Sequence, residues 1–183
     1  MLKHSRVINL QGVSFTVDFL IQWVPRESDS LSELVYLLKS RLSFPVWKYY
    51  VEKFLHVQSP HRKPVLKTAL VPAPGSRSKK TAYHTQYFAQ AWQEFSPGNV
   101  INCLMSDTDH ANQKDLTLSE RSWTRMKFLE EFTNEIYAFE RVVLIDDIVT
   151  SGHTLQASLT ALKPYLRPNC LIEIKALLSR DTI

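Results

Sequence analysis

The sequence predicts an α/β domain with a mostly parallel sheet flanked by helices. Short apolar runs at 68–71, 100–104, 142–145 and 170–178 alternate with helical stretches through residues 66–178. Val142–Ile145 is unbroken, the pattern of a strand buried on both faces of a parallel sheet. Two turns rich in glycine and hydroxyls, after Val71 and after Ile145, then fall at the carboxyl ends of predicted strands, where ligands bind in open parallel sheets. With 183 residues, one domain spanning 1–183 is the natural count.

Taken in order, residues 6–24 alternate apolar and polar in two runs about Gln11-Gly12, which reads as a hairpin. Residues 25–30 form a polar loop. Leu31, Leu34, Val35, Leu38 and Leu42 recur at helical spacing, so a helix is expected over 31–42 and a break at Pro45. A second helix is expected from Trp47 to Val57, with Trp47, Tyr50 and Phe54 as core aromatics. Residues 58–64 are a polar, basic linker.

The run Thr68–Val71 ends sharply at Pro72-Ala73-Pro74-Gly75. A basic, hydroxyl-rich loop, Ser76-Arg77-Ser78-Lys79-Lys80, leads into an aromatic-rich helix over 82–95. Such a loop between strand and helix suits an anion, although a lysine-arginine run is also what a solvated loop carries. Val100–Leu104 is the next run. Behind it, 105–118 has little periodicity, a length of loop that is usually functional or disordered.

Composition is that of an ordinary globular chain, 44% hydrophobic and 22% charged. No segment approaches the roughly 18 apolar residues of a membrane span. The opening M-L-K-H-S-R has no apolar stretch behind it, so no secretory signal is expected, and cytoplasm is the expected compartment. Cys103 and Cys170 each sit in an apolar run and are expected in the core; two isolated cysteines make neither a disulfide framework nor a zinc site. A net charge of +4 and a pI near 9.1 favour polyanionic ligands without choosing among diphosphates, DNA and RNA.

Residues 141–155, R-V-V-L-I-D-D-I-V-T-S-G-H-T-L, concentrate the chemistry. A buried strand should surface at Asp146-Asp147. A hydroxyl-and-glycine turn follows, and then a helix over 155–166, with Leu155, Leu159 and Leu162 on one face and Thr154 as its cap. A helix N-terminus offers unpaired N–H groups and partial positive charge to an anion, Gly152 allows close backbone approach, and the hydroxyls donate further hydrogen bonds. Paired carboxylates repel phosphate. They suit sugar hydroxyls, or a divalent cation bound beside the phosphate.

V-V-L-I-D-D-I-V-T-S-G-H-T, residues 142–154, resembles the thirteen-residue phosphoribosyl-pyrophosphate (PRPP) signature of the type I phosphoribosyltransferases. The resemblance implies that Asp146 and Asp147 contact the ribose 2′ and 3′ hydroxyls. It implies a 5′-phosphate held by Val149, Thr150, Ser151, Gly152, His153 and Thr154, with His153 lending a backbone N–H. V-P-A-P-G-S-R is similar to the pyrophosphate loop of the competence-protein-F-like (ComF-like) branch, which sets Ala73, Pro74, Gly75, Ser76 and Arg77 against the diphosphate. Gln113 to Arg121 resembles that branch's Q-x-x-L-(S/T)-x-x-E-R, within the family's mobile loop, and L-V-Y-L-L-K at 34–39 is similar to its L-I-x-A-L-K.

The family's properties, carried over, imply transfer of ribose 5-phosphate from PRPP to an unidentified acceptor with release of pyrophosphate. Mg²⁺ would come with PRPP, with Asp146 and Asp147 as candidate carboxylates. Residues 1–30 would form a small hood over an α/β core of 31–183, and a homodimer is an open arrangement. The competing expectation is a non-catalytic PRPP-sensing or DNA-uptake-associated binding protein. For nucleic acid the sequence offers basic residues at 61–63 and 77–80, without aromatic interleaving. The chain departs from the branch in three places. It has no C-x-x-C, hence no zinc ribbon; Ala82-Tyr83-His84-Thr85 replaces G-F-N-Q; and Thr124 stands where an Asn usually follows Glu120-Arg121.

Overall fold

The computed structural model describes residues 4–10, 12–24, 30–38, 44–58, 66–75, 83–106 and 126–180. Its centre is β7 (Arg141–Val149), paired in parallel with β3 (Thr68–Pro72) on one side and β8 (Leu171–Arg180) on the other. Flanked on both edges and covered on both faces, β7 is apolar without alternation, and Val142 to Ile145 are fully buried. The six-stranded sheet runs β1-β2-β8-β7-β3-β4, with β1 (His4–Leu10), β2 (Val13–Trp23) and β4 (Asn99–Val100). Within this sheet, among the described residues, β1–β2 is the antiparallel pairing and the others are parallel. The expected fold class, a mostly parallel sheet flanked by helices, is what the chain adopts.

Helices α1 (Ser30–Leu38), α2 (Phe44–Gln58) and α3 (Tyr83–Phe95) cover one face. Trp47, Phe54, Phe88 and Trp92 interlock there, with Trp47 and Phe88 stacked at 5.2 Å and Phe54 edge-on to Trp92 at 5.6 Å. Trp47 and Phe54 are core, as expected, whereas Tyr50 is only partly buried against that cluster. α4 (Thr133–Tyr137) and α5 (His153–Leu162) lie on the other face with a ribbon of β5 (Leu104–Ser106) and β6 (Met126–Phe128); Leu155, Leu162, Ile136 and Phe128 belong to that core.

Several boundaries differ from expectation. Pro45 lies in the first turn of α2 rather than breaking a helix, because a residue there has no intrahelical N–H bond to lose. α1 stops at Leu38 among the described residues; 39–42 lie outside them. Of the run at 100–104, Val100 alone joins the main sheet, and Leu104 opens the separate ribbon. Thr154 does not cap α5: the cap is Gly152, at φ +87°, and the helix ends at Leu162 before a 3-10 turn through Pro164. Cys103 is buried as expected, whereas Cys170 is half-exposed because it lies just before β8 at the sheet's rim.

The expected hairpin forms about Gly12, at φ +79°, and β2 then pairs with β8 from Asp18 to Trp23. It is therefore an extension of the main sheet; a covering role for 1–30 belongs to the proposals below. Asp18 faces Lys175 across that pairing. A partly buried ionic chain, centred on the buried Lys175, follows: Lys175 Nζ lies 2.6 Å from Asp18 and 3.0 Å from Glu173, and Arg141 Nη2 lies 3.0 Å from the same Glu173 oxygen.

Candidate functional site

The site grows from the carboxyl ends of β3 and β7. Their register, Thr68↔Arg141 to Pro72↔Ile145, sets the two exits side by side, and Ala73 N donates to Ile145 O at 2.7 Å to carry the contact one residue further. Ala73 and Pro74 are buried and Gly75 half-buried, so this wall is closely packed against β7. Thr85 Oγ1 donates to Ala73 O at 2.9 Å and pins the start of α3 to the same loop. Ser76 and Arg77, the rest of the expected pyrophosphate loop, lie outside the described residues, as do Gln113 and Arg121 of the expected mobile loop.

The acidic pair was expected where β7 surfaces. Instead β7 stays in register with β8 up to Val149↔Ser179, so both aspartates lie inside the strand, each 8% exposed. Successive strand residues point to opposite faces. Asp147 lies toward α3, whose His84 it meets. Asp146 Oδ1 accepts from the Asp147 backbone N–H at 2.9 Å, which fixes its carboxylate at the strand edge. Asp147 Oδ2 lies 3.3 Å from His84 Nε2, in the first turn of α3.

Beyond Val149, Thr150 and Ser151 are exposed, Gly152 is buried, and His153 and Thr154 are half-buried. Two exposed hydroxyl residues thus stand directly ahead of a helix N-terminus, an arrangement that suits an anion. His153 Nδ1 and Ser151 Oγ lie 2.7 Å apart, so the imidazole is engaged within the turn itself. Gly152 has two reasons to be glycine. Its φ of +87° is one L side chains rarely adopt, and an added Cβ would stand 2.9 Å from two Ile8 side-chain carbons.

His84 is the residue that sequence reasoning placed without a role. The signal was there, since it occupies a place where the resembled branch carries a different tetrapeptide, but its reach to Asp147 depends on how α3 docks. Among the described residues no three His, Cys, Asp or Glu side chains gather as a metal group. Asp146 and Asp147 are hard oxygen donors, compatible with Mg²⁺, which takes one or two carboxylates alongside substrate phosphates.

No family model matches the chain, and no curated protein matches it. Solved structures do. One, described as the allosteric regulatory enzyme of purine biosynthesis, aligns with TM-score 0.41 and 14% identity over 70% of this chain, which spans 25% of that enzyme. An asparagine mutant from a study of an invariant aspartic acid in HPRTs aligns with TM-score 0.42 and 16% identity, covering 79% of this chain and 66% of its own. Adenine phosphoribosyltransferase from Leishmania donovani aligns with TM-score 0.43 and 13% identity, covering 86% and 83%. No helix among the described residues is long and apolar enough to cross a membrane.

Proposed function

We propose that the chain binds PRPP and transfers its ribose 5-phosphate to an acceptor, releasing pyrophosphate. The observation that carries this reading is the Asp146–Thr154 stretch. A sequence resembling the PRPP signature leaves the central parallel strand, turns through a left-handed glycine with exposed hydroxyls, and enters a helix N-terminus, beside a second loop that leaves β3. The affinity to the ComF-like branch, the hood role for 1–30 and the homodimer are parts of the same proposal.

In the reaction the bond from ribose C1 to the diphosphate oxygen breaks, its electron pair leaving with pyrophosphate, and an acceptor nucleophile forms the new bond to C1. The intermediate stage resembles an oxocarbenium ion, as in glycoside cleavage. Asp146 and Asp147 hold the ribose hydroxyls in register while positive charge develops at C1. The 149–154 turn binds the 5′-phosphate through backbone N–H groups and the Thr150 and Ser151 hydroxyls, and the resemblance assigns Ala73 to Arg77 to the leaving diphosphate. Bound Mg²⁺, with Asp146 and Asp147 as its protein carboxylates, supplies charge neutralisation on that diphosphate.

Calorimetry with Mg–PRPP tests the donor site: the double change Asp146→Asn, Asp147→Asn abolishes binding with the fold intact, and unchanged affinity refutes the assignment. Pyrophosphate release with a panel of bases tests turnover. Salt-sensitive DNA binding with no release would favour the non-catalytic, DNA-associated reading instead.

A further inference from the structure

Contacts at Arg6, Ile8 and Leu10 tie the N-terminal hairpin to the turn that follows β7, to the helix behind it and to the end of β8, and the β1–β2 pairing needs none of them. Arg6 Nη1 donates to Thr150 O at 3.3 Å and to Arg180 O at 3.2 Å, joining the chain where it leaves β7 to the end of β8. Ile8 fills the space beside Gly152, with Cδ1 and Cγ2 both 2.9 Å from where a Cβ would stand, and Phe15 Cζ is 3.5 Å away. Gln156 Nε2, in α5, donates to Leu10 O at 3.1 Å. The register of β1 with β2, His4↔Phe19 to Leu10↔Val13, is complete without any of these bonds.

Their common effect is on the anion turn. A turn that binds phosphate must present N–H groups to it and keep its carbonyl oxygens, which carry partial negative charge, engaged elsewhere. The Arg6 guanidinium does this for Thr150: it commits that carbonyl to a cation and offsets its charge. Ile8 and Phe15 do the steric half, since they close the side of Gly152 away from solvent and leave its left-handed conformation no room to relax.

We infer that the β1–β2 hairpin, through Arg6 and Ile8, forms one wall of the 149–154 turn and sets its affinity for a sugar phosphate monoester. Arg6 is a positioning residue, acting on the ligand through the turn. The ligand half of the inference rests on the donor-site reading above; the clamp itself does not.

The test uses the full chain with Arg6→Met, Arg6→Lys and Ile8→Ala. Two quantities are read: amide hydrogen exchange over 150–156, and calorimetric affinity for ribose 5-phosphate. Arg6→Met is expected to exchange about tenfold faster across the turn and to bind about tenfold more weakly, the scale of a lost hydrogen bond to a charged group. Arg6→Lys recovers most of both, because an ammonium can donate to two carbonyls. Ile8→Ala speeds exchange at 152 while hairpin amides stay protected, so local loosening is distinguished from loss of the fold. Wild-type exchange and affinity in Arg6→Met overturn the inference. Should the wild-type chain bind neither ribose 5-phosphate nor Mg–PRPP, the donor-site reading fails, and the exchange comparison still decides the clamp.

Discussion

Glu173→Gln removes a charge from the middle of the partly buried ionic chain that crosses β2, β8 and β7. Its Oε2 lies 3.0 Å from both Lys175 Nζ and Arg141 Nη2, and Lys175, 4% exposed, also holds Asp18. Removing one partner of a buried pair costs roughly 3–5 kcal/mol; Gln keeps the shape and a neutral acceptor, so about 3 kcal/mol is expected. For a chain of this length that lowers Tm by about 6–12 °C. The pH dependence follows from the sign of the shift. Burial alone would raise the Glu173 carboxyl, but Lys175 and Arg141 together outweigh it and hold it below the ordinary carboxylate range. A carboxylate held low in the folded state stabilises fully above its unfolded pKa, about 4.3, and the contribution is lost as pH falls through the folded value. Thermal melts followed by circular dichroism should therefore show a constant gap between wild type and variant near neutrality, shrinking below about pH 4. Equal melts at neutral pH, or a gap that widens on acidification, would refute the reasoning.

Three further outcomes are expected. Gly152→Ala loses about 1–2 kcal/mol from its φ of +87°, and more from the contact with Ile8, together with PRPP affinity; a variant that melts with wild type contradicts the close approach. His84→Leu weakens Mg–PRPP binding about five- to tenfold by releasing Asp147, and His84→Asn restores part of it; calorimetry reads both, and identical affinities in all three proteins remove His84 from the site. Cys103, its thiol pushed up to about 12 chiefly by burial, stays unlabelled by iodoacetamide at about pH 8 until the chain is unfolded in urea, and rapid native labelling would contradict its environment.

What the sequence disclosed follows from which features are local. Three of the four apolar runs were legible as strands because β3, β7 and β8 are largely buried and need no strict alternation to declare themselves, whereas the run at 100–104 divides between two sheets. The hairpin was legible from its alternation about Gly12, but its pairing with β8 was not, since that partner lies some 150 residues away. Pro45 was misread because a helix start and a helix break present the same residue. Of the candidate site, Asp146 to Thr154 emerged as a contiguous stretch. The burial of both aspartates did not, because it depends on how far the β7–β8 ladder runs. The contacts of Arg6, Ile8 and His84 with the turn and with Asp147 were invisible for the same reason: each depends on tertiary docking, and none leaves a period in the chain.

The adjacency of the two loops is a property of the ladder rather than of either loop. Five paired positions from Thr68↔Arg141 to Pro72↔Ile145, with the Ala73 N–H to Ile145 carbonyl bond beyond them, oblige any chain leaving β3 to pass beside Asp146. A donor binding both loops would thus be gripped by parts whose spacing the sheet itself determines. An acceptor would meet residues beyond the strand ends, where no register constrains identity or position. On the proposed reading, His84 belongs to both regions. Thr85 is pinned to the Ala73 carbonyl at 2.9 Å, and its neighbour His84 reaches 3.3 Å from Asp147. If the donor-site proposal holds, a change at position 84 is expected to alter a donor-side carboxylate along with whatever the start of α3 presents to a second substrate, and the two effects separate only when PRPP affinity and acceptor preference are measured in the same variant.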